Sequence, residues 1–106
     1  MVEQGDIVWL DFSPTHGHEQ SGTRPALVVS STDFNRLTGL MIVCPITSTP
    51  RDYPTCVMLD ERTATHGTIL CHQLRTMDYV ARSVNGKEKV PEDILQEVLD
   101  KISVFF

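Results

Sequence analysis

The sequence predicts a mainly β protein of the α+β class, a small antiparallel β-barrel with one C-terminal α-helix packed on it. Three observations lead there. Short apolar runs rich in β-branched residues recur along the chain with turn residues between them. Near the end, the apolar spacing changes from that of strands to that of a helix. With 106 residues, the chain can bury one core and has no room for a second domain of ordinary size, so residues 1–106 are expected to form a single domain.

Taken in order, "DIVWLDF" (6–12) has the β-branched and aromatic content of a strand. "PALVVSS" (25–31) and "LMIVCPIT" (40–47) are nearly continuous apolar runs bounded by Gly, Pro and Ser, as in strands buried on both faces. "TCVMLD" (55–60) and "GTILCHQL" (67–74) repeat the pattern, giving five expected strands. Between the second and third, "STDFNRLTG" combines Ser/Thr/Asp start signals with a closing Gly39, which predicts one or two helical turns. In "VPEDILQEVLDKISVFF", Pro91 suits a first helical position, and Glu92 and Asp93 suit the positive end of the helix dipole. Ile94, Val98 and Ile102, widened by Leu95 and Leu99, form one apolar stripe that needs a core to cover it. Trp9 is expected in the core or as a groove wall, and Phe105 and Phe106 can extend an interface.

The net charge of −5 argues against a protein that coats nucleic acid through a wholly basic surface. It leaves room for a local positive site, because the acidity is uneven: residues 88–101 hold five acidic residues against two lysines. Cys44, Cys56 and Cys71 are odd in number, lie in apolar runs and lack C-x-x-C spacing, so they read as reduced core thiols. No charged leader with an apolar segment opens the sequence and no run is long enough to span a membrane, so a cytoplasmic location is expected.

The loop "HGHEQSGTRP" (16–25) holds more chemistry than a connector needs. His18 can exchange a proton near neutral pH, Glu19 can accept one or pair with a cation, and Arg24 is shaped to grip a phosphate. Gly17 and Gly22 let the backbone bend sharply or approach a ligand. The plain alternative is a solvated loop with a Glu19–Arg24 ion pair worth about 0–1 kcal/mol. A second loop, "PITSTPRDYP" (45–54), adds the hydroxyls of Thr47, Ser48 and Thr49, which suit either turn chemistry or an anion. His16, His18, Cys71 and His72 are potential metal ligands related only by adjacency, and no metal or other cofactor is expected.

The blocks "GDIVWLDFSPTHGHEQSGTRPALVVS", "FNRLTG", "CPITS", "CHQLRTMD" and "VPEDILQEVLDKI" resemble, in the same order, the MazF/PemK family of toxin endoribonucleases, with Kid-type members most alike. The resemblance covers essentially the whole chain. It implies a small SH3-like barrel of the CcdB/PemK type and a homodimer. It also implies sequence-specific, metal-independent cleavage of single-stranded RNA to a 2′,3′-cyclic phosphate and a 5′-hydroxyl, with growth inhibition. The implied partner is a cognate MazE/PemI-like antitoxin whose acidic tail covers the RNA groove.

Position by position, the resemblance matches Arg24 to the family's catalytic arginine and Thr47 to its catalytic threonine. His18 and Glu19 match loop residues tied to catalysis or RNA binding in some members. RNA contacts are expected of Gln20, Thr23, Ser48, Thr49, His72, Gln73, Arg75 and Arg82. As charge builds on the phosphate, a fixed guanidinium and a hydroxyl donor suit it. A guanidinium with a pKa above about 12 is a poor base, so His18 or Glu19 is preferred for the proton. Gln73 suits an exposed base edge, and Arg75 and Arg82 either hold phosphates or are solvated charges. Arg24, Arg75 and Arg82 are expected to gather on one face, away from the acidic helix.

One departure stands out: Kid-type members carry Arg-Cys-Asp-Gln where this chain has Leu70, Cys71, His72 and Gln73. His72 can contact a base, assist a proton transfer or simply finish a strand. Two rival readings follow, a noncatalytic CcdB-like gyrase inhibitor using the apolar end of the last helix, and a degenerate member that binds RNA or antitoxin without cutting.

Overall fold

The computed structural model describes residues 2–12, 22–82 and 84–106. Its elements are β1 (Asp6–Asp11), β2 (Thr23–Val28), α1 (Thr32–Thr38), β3 (Leu40–Thr47), β4 (Cys56–Met58), β5 (Thr68–Leu70), β6 (Arg75–Asp78), β7 (Asn85–Lys89) and α2 (Glu92–Ser103). The strands form one antiparallel sheet in the order β4-β5-β3-β2-β1-β7, with β6 pairing β3. The class is α+β, as expected, but the ladder does not close into a barrel: β4 and β7 end the sheet without pairing each other. The Glu88 side chain spans the gap, accepting hydrogen bonds from the amides of Ala64 and Thr65 and, at 3.0 Å, from the Thr65 hydroxyl.

Two of the seven strands were not anticipated. The expected run 67–74 is a strand only at Thr68–Leu70: Gln73 N–H turns back to Leu70 O at 3.1 Å, and β6 begins beyond the run, at Arg75. The chain then shares β3's edge in two pieces: β5 pairs Ile46 and Thr47, and β6 pairs Leu40–Val43. β7, "NGKEK", has no apolar alternation since it is an edge strand and mostly exposed. It pairs with β1 through a register shift between Val8 and Trp9.

The helices follow their local signals. Ser31 caps α1 by accepting from Phe34 N–H at 3.1 Å, and Gly39 ends it at φ 73°, a left-handed conformation that costs glycine little. Pro91 is the N-cap of α2, one position before the expected one, and Ile94, Leu95 and Val98 are buried.

Alternation along the strands gives the sheet two apolar faces. On one, Ile7, Leu27, Cys44, Ile46 and Ile69 pack with Ile94, Leu95 and Val98 of α2. On the other, Val8, Leu10, Phe12, Ala26, Val28, Met41, Val43 and Met77 form a second cluster. The three cysteines are free and buried; burial pushes the Cys71 thiol up to about 11 and Cys44 higher still. Trp9 is 40% exposed and forms a wall rather than core, lining a cleft of about 300 Å³ with Ile7, Ala64, Thr65 and residues 86–88.

Candidate active site

The site follows from register. Ala26 of β2 faces Pro45 of β3, the last facing pair of that ladder, and Arg24 and Thr47 each lie two residues beyond it on their strands. Thr47 in turn faces Thr68 of β5, and Arg24 faces Leu10 of β1. Taken strand by strand these residues make a row of two facing pairs, Thr68–Thr47 and Arg24–Leu10, with Arg24 and Thr47 just past the last facing pair of the β2–β3 ladder. Arg24 is in step with Ala26 and Val28, and Thr47 with Met41 and Val43, which places both on the sheet face away from α2. Arg24 is exposed there, while Thr47 is 8% exposed. The Thr47 hydroxyl oxygen accepts from Thr49 N–H at 3.2 Å, which leaves the hydroxyl proton available for donation.

Two more of the expected arginines converge here. Arg75 faces Val43 and is in step with Met77, hence on the same face as Arg24. Its guanidinium carbon lies 5.1 Å from the centre of the Phe12 ring. Arg82 donates from Nη1 to Asp11 O at 3.0 Å. The three arginines are thereby gathered about the last residues of β1, and α2 with its acidic residues lies across the sheet. Sequence reasoning passed over Phe12 as a plain strand residue; an aromatic ending a strand just before a functional loop was the available signal.

The other expected residues divide. Ser48 and Thr49 are exposed just beyond Thr47. Thr23 is exposed, and alternation turns it to the face opposite Arg24. His72 and Gln73 are exposed in the turn after β5, at the strand end opposite to Thr68, with His72 Nδ1 hydrogen-bonded to Thr55 Oγ1 at 2.8 Å. Leu70, at the position of the Kid-type arginine, is 4% exposed and adds no charge to the row. His18, Glu19 and Gln20 lie outside the described residues. Among the described residues, no group of three or more His, Cys, Asp or Glu side chains is placed to hold a metal ion.

Fold and site together define a class: a small open antiparallel sheet that packs its terminal helix on one face and collects arginines and a threonine hydroxyl on the other, an arrangement suited to a phosphate-bearing chain. The family model described as PemK-like, MazF-like toxin of type II toxin-antitoxin system matches residues 3–106. The chain belongs to this PemK/MazF family.

Its relatives are similar along most of their length. The Endoribonuclease PemK of Escherichia coli is 43% identical over 106 residues, covering 96% of this chain and 80% of the relative. The Endoribonuclease toxin MazF of Escherichia coli K12 is 36% identical over 102 residues, covering 96% and 91%. Among solved structures, MazF of Deinococcus radiodurans superposes with a TM-score of 0.89 at 39% identity, covering 98% of this chain and 94% of that one. A MazE-MazF complex from the same organism gives 0.86 at 39% identity, with the same coverage.

Proposed function

We propose that this chain is the toxin of a type II toxin-antitoxin pair and an endoribonuclease that cuts single-stranded RNA, mRNA included, at short sequence motifs and so halts translation and growth. The observation that carries this reading is that Arg24 and Thr47, on neighbouring strands, share one sheet face, in a chain whose relatives bear the name endoribonuclease.

The reaction begins when the RNA's 2′-hydroxyl attacks the adjacent phosphorus. The 2′-oxygen–phosphorus bond forms as the phosphorus–5′-oxygen bond breaks, giving a 2′,3′-cyclic phosphate and a 5′-hydroxyl. Because the nucleophile belongs to the substrate, no metal-activated water is required and no cofactor is invoked. Arg24 meets the charge growing on the non-bridging oxygens, and the Thr47 hydroxyl donates to one of them. His18 or Glu19 takes the 2′-proton, and an acid of the same loop returns a proton to the 5′-oxygen. Arg75 and Arg82 hold flanking phosphates, while Ser48, Thr49, His72 and Gln73 contact bases or backbone beyond the row.

Residues 1–106 act as one toxin domain, paired as a homodimer in the cytoplasm and neutralised by a MazE/PemI-like antitoxin whose acidic segment occupies the arginine face. Among the described residues, no helix is long and apolar enough to cross a membrane. The test is incubation with a long single-stranded RNA in EDTA beside an Arg24→Ala control. Discrete cuts with cyclic phosphate ends, absent from the control, support the reading. Intact RNA across broad sequence space moves the assignment to gyrase inhibition through the exposed Val104 and Phe106 at the end of α2, or to binding without cleavage.

A further inference from the structure

Thr68 opens β5 directly across from Thr47, the last residue of β3. Its side chain is 1% exposed, and its Oγ1 has no hydrogen-bond partner among the described residues. Buried hydroxyls are nearly always bonded, and an orphan is a net loss that an apolar residue of the same shape would avoid. Packing alone therefore does not explain a threonine here.

The two strand ends are pressed together. Gly67, just before Thr68, has φ +139°, and a Cβ there would stand 2.4 Å from the Thr47 carbonyl oxygen. Facing residues in an antiparallel pair hold their Cβ atoms about 5 Å apart, and threonine pairs hydrogen-bond across that gap. A hydroxyl in such a facing pair can reach across to Thr47 Oγ1. That oxygen accepts only the Thr49 amide among the described residues, and a hydroxyl oxygen has two lone pairs.

We propose that Thr68 is the positioning residue for Thr47. With RNA bound, Thr68 donates to Thr47 Oγ1 while Thr47 donates to a phosphate oxygen, a short chain in which each bond polarises the next. Protons are shared along existing hydroxyls, and no covalent bond is made or broken in this step. The inference rests on the reading that Thr47 touches the scissile phosphate.

Thr68→Val and Thr68→Ser, compared with the wild type in RNA cleavage and thermal unfolding, test it. Thr68→Val is expected to unfold at the same or a higher temperature while kcat falls by about tenfold and KM stays within about twofold. Thr68→Ser is expected to recover most of kcat. A valine variant with wild-type kcat, a kcat loss that merely follows a loss of folded protein, or a serine variant that does not recover, overturns the inference while leaving the nuclease reading intact. A wild-type chain that cuts no RNA overturns both.

Discussion

The Arg75 guanidinium lies over the ring of Phe12, with its central carbon 5.1 Å from the ring centre. Phe12 is fully buried and belongs to the apolar cluster beneath the arginine face. The ring holds the cation on the surface of that face without neutralising its charge, as an ion pair would. A hydrophobic core residue thus sets where one cation of that face stands.

Replacing Arg75 by Ala is expected to weaken RNA binding with little effect on folding. If Arg75 meets one phosphate, the slope of log affinity against log salt becomes shallower by about 0.7, the single-strand value per contact. Filter binding on an uncleavable RNA from low to moderate salt checks this. An unchanged slope means that Arg75 does not contact the backbone.

Gly67 has no room for a side chain, since a Cβ would meet the Thr47 carbonyl oxygen at 2.4 Å and the backbone is at φ +139°. Gly67→Ala is expected to destabilise the chain by about 1–3 kcal/mol through strain and displacement of the strand end. Because the atom struck belongs to Thr47, the fraction that stays folded should also cut RNA more slowly. Urea unfolding, combined with rates corrected for folded protein, separates the two effects.

Glu88 fastens the two ends of the open sheet by accepting from the amides of Ala64 and Thr65. Glu88→Ala leaves both donors without that acceptor and is expected to cost about 1–3 kcal/mol. Faster hydrogen exchange at residues 64 and 65, with the β2–β3 amides unchanged, is the signature of a local loosening.

Arg62 joins Asp60 to Asp93 of α2. Its hydrogen bonds hold both carboxyls below their ordinary value of 3.8, so the folded chain takes up these protons less readily than the unfolded one. The resulting stability is complete above the ordinary value and is lost as pH falls through the lower folded values. The group is on the surface, so Arg62→Gln is expected to lower the unfolding temperature only slightly at neutral pH. The gap to the wild type should close as the solution becomes strongly acidic. A gap that widens in acid contradicts this origin.

Much of this architecture was legible because burial writes itself into sequence. The runs at 25–31 and 40–47 are apolar on both faces, and the stripe from Ile94 to Ile102 has one helical period. β7 left no such trace: an edge strand of Asn, Gly, Lys and Glu is specified by its pairing with β1 rather than by its own composition. The turn between β5 and β6 was hidden for the same reason, since which stretch of β3's edge receives each strand is a tertiary fact. Arg24 and Thr47 could be nominated from loop chemistry and family resemblance, but their place on one face of neighbouring strands depends on the β2–β3 pairing. Thr68 was invisible as a site residue because a threonine beginning a strand is ordinary until its facing residue is known.

The central claim is that Arg24 and Thr47 act on one phosphate, and single-turnover RNA cleavage by Arg24→Ala, Thr47→Val and the double variant tests it most directly. Each single change is expected to slow cleavage by about 100-fold or more, and the double to lose far less than the product of the two, as for groups that act as a unit. Either single variant cutting at the wild-type rate would contradict the claim.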